Sequence, residues 1–338
     1  MSKYLKRGLA VVLAAMLLIS TLTNITGLYA TGRDPVSRIY NIITGNAPHT
    51  TEGYAAEAER KIAQNDYTGA LEDLANAREL TDDTDTLCTL WLRTAAVCVI
   101  LGDDAQARIA TDAAIGNDGA SSQAWLLSTQ LYLAEGDAEN AAEAMAAYVA
   151  LVPSDTASRA SLAQLYEQAG RYGEAAAAYA ALADEIPTEV SYKADAMRCY
   201  FEAGEYQTVV AFADEMDQND MQPATHQMLG IALIQLDRND EAVDELTLAI
   251  DLAGSRFYRG EALLALGRYE AAEEDFTGSI AEDYLTEYAY YCRGVCRAQL
   301  GAYESAMDDL DKAMTSDDAS LIESATNLLL QLAGRADD

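Results

Sequence analysis

Ser161–Pro187 reads SLAQLYEQAGRYGEAAAAYAALADEIP, and the fold is decided by how this stretch is read. It has the pattern of two short amphipathic helices joined at Gly170. Its landmarks recur along the chain. Gly102, Gly136, Gly170 and Gly204 follow one another at 34-residue steps, and the pairs Trp91/Trp125 and Pro153/Pro187 are each 34 residues apart. A fixed period of that length signals stacked helical hairpins, none of which can bury its own apolar face alone.

Composition agrees with an all-α chain. Half of the 338 residues are hydrophobic and only five are proline. Alanine supplies much of the apolar content, which favours helices packed closely through small side chains. The formal net charge is −33. Such a chain repels phosphate backbones and anionic lipid heads, so nucleic-acid binding and peripheral membrane binding are not expected.

Residues 1–30, MSKYLKRGLAVVLAAMLLISTLTNITGLYA, have a basic start, an apolar run at Leu9–Ile19 and a polar tail ending in a small residue. That layout predicts either a cleaved signal peptide or an uncleaved membrane anchor. In both readings the rest of the chain is exported, and contact with a membrane is made only through this segment. Residues 31–50 form a linker with one short helix, which Asp34 can cap, Pro35 can begin and Gly45 can end.

From about residue 51 to 320 the chain resembles the tetratricopeptide repeat family. Ala163, Tyr166, Gly170, Tyr172, Ala175, Tyr179 and Pro187 take seven of the family's characteristic places. The resemblance implies an all-α, right-handed superhelical α-solenoid of about eight helix-turn-helix hairpins. Their bounds fall at about 51–87, 88–121, 122–155, 156–189, 190–222, 223–252, 253–286 and 287–320. Other landmark positions are Trp91, Trp125, Gly230, Gly260, Gly267, Gly294 and Gly301. Small residues such as Gly260 let helices A and B of a hairpin approach, and the turn glycine permits a left-handed backbone. Asp237 stands where repeat six should have its turn glycine, and Thr111 replaces a bulky residue in repeat two. Repeats six and seven are only about 30 residues apart, which predicts a clipped turn. Ser320–Ala333 predicts a terminal capping helix, with Ser320 and Glu323 as a capping box, Gly334 as the stop and an acidic tail to residue 338.

No catalytic pattern emerges. His49 and His226 have no metal-site spacing, and there is no nucleophile elbow or phosphate loop. Neither a cofactor nor a metal is expected, and the chain reads as non-enzymatic. The acidic clusters at 81–86, 217–220 and 237–240 fall at repeat turns and read as solvated loops. Cys88, Cys98, Cys199, Cys292 and Cys296 read as buried apolar cysteines.

In the resembled family helix A lines the concave face and meets the ligand. Carried over, those positions are Glu59, Arg93, Gln130, Gln164, Glu167, Arg198, Gln227, Phe257, Tyr258, Glu261, Tyr288, Tyr291 and Gln299. The family's carboxylate clamp needs basic residues and asparagine at such places, and this chain lacks that set. What the resemblance implies is a scaffold holding a peptide or partner protein, with an aromatic end at Phe257–Tyr291. The rival reading is a structural spacer or assembly subunit in the cell envelope. Tyr284, Tyr288, Tyr290 and Tyr291 read equally as packing between hairpins.

Overall fold

Alanine on facing helices lets helix axes approach, and the core is built that way throughout. Ala58, Ala70 and Ala77 are fully buried, as are Ala107, Ala114, Ala124 and Ala141, and later Ala232, Ala242, Ala272, Ala289 and Ala306. The computed structural model describes residues 50–216 and 221–336; the expected signal or anchor, the linker helix and the 217–220 cluster lie outside them. The described residues form seventeen α-helices and no strand. The chain divides into two units, Met1–Ala169 and Gly170–Asp338.

The first unit contains α1 (Thr51–Ala63), α2 (Tyr67–Glu79), α3 (Thr84–Leu101), α4 (Asp104–Asn117), α5 (Ser122–Glu135), α6 (Ala138–Leu151) and α7 (Thr156–Gln168). Each of α1, α3 and α5 packs mainly on the helix after it as a hairpin, and successive hairpins stack through α2 on α3, α4 on α5 and α6 on α7. Aspartates set most of the helix starts. Asp66, Asp83, Asp103, Asp137 and Asp155 each accept a hydrogen bond from the amide three residues on, tying up a donor the helix cannot use itself. The 81–86 cluster is therefore more than a solvated loop, because Asp83 caps α3. By length and composition α3 could cross a membrane. Its Cys88, Leu90, Thr94, Ala95, Val97 and Cys98 are instead buried among the hairpins.

The second unit contains α8 (Tyr172–Glu185), α9 (Val190–Glu202), α10 (Tyr206–Asp214), α11 (Pro223–Gln235), α12 (Asn239–Leu248), α13 (Ser255–Ala265), α14 (Tyr269–Ala281), α15 (Thr286–Gln299), α16 (Tyr303–Ala313) and α17 (Ala319–Ala336). Hairpins α11/α12, α13/α14 and α15/α16 stack in order, and α17 packs on α16 and α15. The odd-numbered helices from α9 to α17 also pack on one another.

The turn chemistry explains the tolerated Asp237. The turn needs a left-handed residue, which Gly170 supplies at φ 72° and Asp237 at φ 58°. Aspartate is among the few side chains that enter this region at modest cost. Helix approach works as expected at Gly260, where a Cβ would lie 2.9 Å from the Phe276 ring. The clipped junction shows as two short helices, α12 and α13, of 10 and 11 residues, with left-handed Gly254 between them. Thr111 is buried and satisfies its hydroxyl on the Ala107 carbonyl at 2.8 Å.

The last helix departs from expectation at both ends. Its start is capped by Asp318, whose Oδ1 accepts from the Ser320 amide at 2.8 Å and the Ser320 hydroxyl at 2.7 Å. Ser320 is therefore held by the cap and is not the cap itself. The helix also continues through Gly334 to Ala336. A single glycine costs a helix only about 1 kcal/mol relative to alanine, too little to end it there.

Candidate functional site

Counting back from the turn residue aligns the first helices of the hairpins. Six residues before it stand Ala96, Gln130 and Gln164 in the first unit, and Arg198, Ile231, Glu261 and Val295 in the second. This row is exposed throughout the first unit and half-buried throughout the second. The repeat's packing leaves the row free to vary, and it does so in charge, polarity and size.

In the first unit the surface beside this row is apolar. Val99 and Ile100 on α3 and Leu133 on α5 are all more than 40% exposed, with Val99 and Leu133 at equivalent places in successive hairpins. The carried-over positions did not include these aliphatics, although the VCVIL run at 97–101 signalled them. Glu59 and Arg93 pair at 3.2 Å between α1 and α3. Glu167 is half-buried at the end of α7.

In the second unit the aromatic group is real, but its members divide. Phe257 is only 4% exposed, with ring centroids 5.8 Å from Phe276 and 5.6 Å from Tyr258. It belongs to the core, which corrects its placement on the ligand face; one position along the helix rotates a side chain by about 100°. Tyr288 is exposed, but its hydroxyl donates to Asp318 Oδ2. That bond ties it to the start of α17. That bond, with those from Ser320, holds the Asp318 carboxyl down at about 2. Gln227 is likewise occupied, donating to the Ala253 carbonyl at 2.8 Å and Ser255 Oγ at 3.0 Å across the clipped turn.

Tyr258, Glu261 and Tyr291 remain half-buried on the first-helix face, with Gln299 exposed. Tyr258 lies edge-on to Tyr284, and the two hydroxyls are 3.3 Å apart. Burial, with the Tyr284 bond second, pushes the Tyr258 hydroxyl well above its usual range. Glu261 is also raised, by burial alone. Cys292 and Cys296 are pushed up to about 12, chiefly by burial, so neither is a thiolate at neutral pH. All five cysteines are free thiols; four are buried, and Cys292 is half-buried. Arg198 pairs with Asp195 at 3.1 Å. Tyr290 packs between hairpins, with Lys312 Nζ 5.0 Å above its ring.

A repeated ion pair escaped the sequence reading. Arg259 on α13 grips Asp275 on α14 with two bonds of 2.7 and 2.6 Å, and reaches Thr247 on the preceding hairpin at 3.1 Å. One repeat later Arg293 grips Asp309 with two bonds of 2.8 Å and reaches Thr277 at 3.1 Å. Arg297 adds bonds of 2.8 Å to both Asp309 and Glu273. The signal was present as Arg-Gly at 259–260 and 293–294, with aspartate sixteen residues after each arginine. Among the described residues no group of three His, Cys, Asp or Glu could hold a metal.

The tetratricopeptide repeat family model matches residues 126–190 and 257–320. These two stretches are tetratricopeptide repeats. The chain is similar in fold to a chain in the structure of Naa15/Naa10 bound to HypK-THB, with 14% identity over 83% of this chain and a TM-score of 0.55. It spans 44% of that longer chain. A tetratricopeptide repeat protein from Parabacteroides merdae is 16% identical over 84% of this chain and 98% of its own, with a TM-score of 0.38. The C-terminal part of a TPR repeat-containing protein from Cytophaga hutchinsonii is 13% identical over 69% of this chain and 98% of its own, with a TM-score of 0.49. No curated protein matches the sequence. Tetratricopeptide arrays are protein-interaction scaffolds, and this chain has that architecture.

Proposed function

We propose that the array is a non-catalytic scaffold outside the cytoplasm, and that it holds a peptide or a segment of a partner protein against its first-helix faces. The observation that carries this reading is the row six residues before each turn. Packing leaves it at least partly open, and its residues change from repeat to repeat through Gln130, Gln164, Arg198 and Glu261. Side chains that only stacked hairpins would be small or apolar at every repeat, as Ala107, Ala141, Ala242, Ala272 and Ala306 are. The half-open tyrosines Tyr258 and Tyr291 add contact area with few rotors and a hydroxyl that tolerates water. Export is supported by the layout of residues 1–30.

The test is capture of partners by the full chain from an envelope extract. A Tyr258→Ala/Tyr291→Ala variant is set against a control, Glu270→Ala/Glu274→Ala, on the exposed side of α14. A protein held by wild type and control but lost by the tyrosine variant is the expected result. Equal retention by all three would favour the envelope spacer. Mass determination of the mature N-terminus checks export, since an intact residue 1 removes the cleavage reading and leaves the anchor.

A further inference from the structure

The acids buried in the second unit come with cations. Asp275 faces Arg259, Asp309 faces both Arg293 and Arg297, and half-buried Glu245 shares a 2.7 Å hydrogen bond with the His226 ring. Half-buried Glu273 has Arg297 at 2.8 Å. Glu261 departs from this, as does half-buried Glu287 in the first turn of α15. Glu261 is half-buried on α13, burial is the sole cause moving its carboxyl, and no cation offsets it. It has no hydrogen-bond or ion-pair partner among the described residues.

Its surroundings fit a cation supplied from outside. Glu261 is half-buried one turn after Tyr258 on α13, and α13 packs against α15, the next first helix. Tyr258 stands in edge contact with Phe257 and Tyr284, so aromatic surface flanks the acid. A carboxylate partly removed from water costs free energy until it is paired, and aromatic rings beside it suit the apolar stem and charged head of a long basic side chain. Acidic groups would be repelled locally and by the −33 net charge, whereas basic segments would be drawn in.

We propose that Glu261 is the receptor for a lysine or arginine of the bound partner, carried on an apolar segment that lies along α13 and α15. The inference rests on the reading of the first-helix face as the binding surface and adds the chemistry of what binds there. Glu261 occupies the same repeat place as Gln130, Gln164 and Arg198, so the row itself sets what each repeat accepts.

A random peptide display library, selected on the immobilised full chain at fixed salt, tests this directly. Three baits are compared: wild type, Glu261→Gln, and Glu270→Gln as an exposed acid elsewhere. Peptides selected on wild type and on Glu270→Gln should carry a lysine or arginine beside apolar residues. They should bind Glu261→Gln at least ten-fold more weakly. Acetylation of that lysine should weaken binding to wild type by a similar factor and leave binding to Glu261→Gln unchanged. The Glu261→Gln chain should melt at the same temperature as wild type or higher, because an uncompensated charge has been removed; a lower Tm would mark Glu261 as a structural residue and overturn the proposal. Basic peptides lost equally with Glu270→Gln would show only bulk charge attraction and also overturn it. Selected peptides that depend on Tyr258 and Tyr291 but carry no basic residue would overturn this inference and leave the scaffold reading standing. No groove-dependent peptide at all would overturn both.

Discussion

Eight residues after the hairpin turn, the second helix points a side chain into the space between helices, and the two units fill that place differently. In the first unit it is alanine at Ala110 and Ala144, both buried. In the second it is Ala178 in α8 and Phe212 in α10, and then acid in the last three hairpins at Glu245, Asp275 and Asp309, which face His226, Arg259 and Arg293 on the first helix. The start of the array belongs with the acidic pattern, because Asp73 on α2 has Lys61 Nζ at 2.7 Å. One backbone period thus accepts two solutions. Alanine lets the helices close and tolerates variation around it. A buried acid demands a matching cation and makes the neighbouring residues interdependent.

The largest expected effect comes from breaking that match. Asp309→Ala strands the buried Arg293, leaves Arg297 with Glu273 alone, and should cost about 3–5 kcal/mol, read as a lower urea midpoint at unchanged m-value. The mirror experiment, Ala144→Asp, puts an acid into the first unit with no cation to meet it and should lose at least about 3 kcal/mol. If Ala144→Asp is harmless, the distinction between the units is false.

A smaller effect separates the units by their helix starts. In the first unit aspartate caps five of seven helices, Thr50 caps α1 and α5 has no side-chain cap bond, whereas α8 through α16 all begin without one. Asp103→Ala removes the acceptor for the Gln106 amide and should cost about 1 kcal/mol. Ala302→Asp, at the bare start of α16, should instead stabilise by about 0.5–1 kcal/mol. Paired thermal melts of the two variants check the opposite signs.

The smallest effect is in acid. Asp318 titrates at about 2 in the folded chain, against 3.8 for an ordinary aspartate. A depressed carboxyl contributes stability that is fully present above the unfolded value and lost as pH falls through the folded one. The contribution of Asp318 should therefore fade between about pH 4 and 2. Asp318→Ala should be less stable than wild type at neutral pH, and the gap in Tm should close over that window. Glu261 has the opposite sign: its raised carboxyl makes the folded chain relatively more stable on the acid side of its titration.

Much of the fold was legible because a 34-residue period is a property of the sequence alone. Gly170 and its equivalents announce turns, since only a few residues enter the left-handed region cheaply, and Gly260 announces a close approach. The site was legible only in part. Phe257 and Tyr258 are neighbours in sequence, yet one lies in the core and the other on the open face. Tyr288 bonds through its hydroxyl to Asp318, 30 residues away in the sequence. The exposed aliphatics Val99, Ile100 and Leu133 lie beside buried Val97, Cys98 and Leu131 in the same apolar runs, and only the packing separates the two sets.

By itself the sequence determined that this chain is a stack of helical hairpins with an acidic surface, because helix period, turn chemistry and net charge are all local or additive. Which acids are paired is a different kind of fact. Arg259 with Asp275, Arg293 with Asp309, and Glu261 with nothing all depend on which side chains meet across helices once the hairpins have stacked. Electrostatic energy turns on distances of a few ångströms and on how much water remains, and only the tertiary structure sets those.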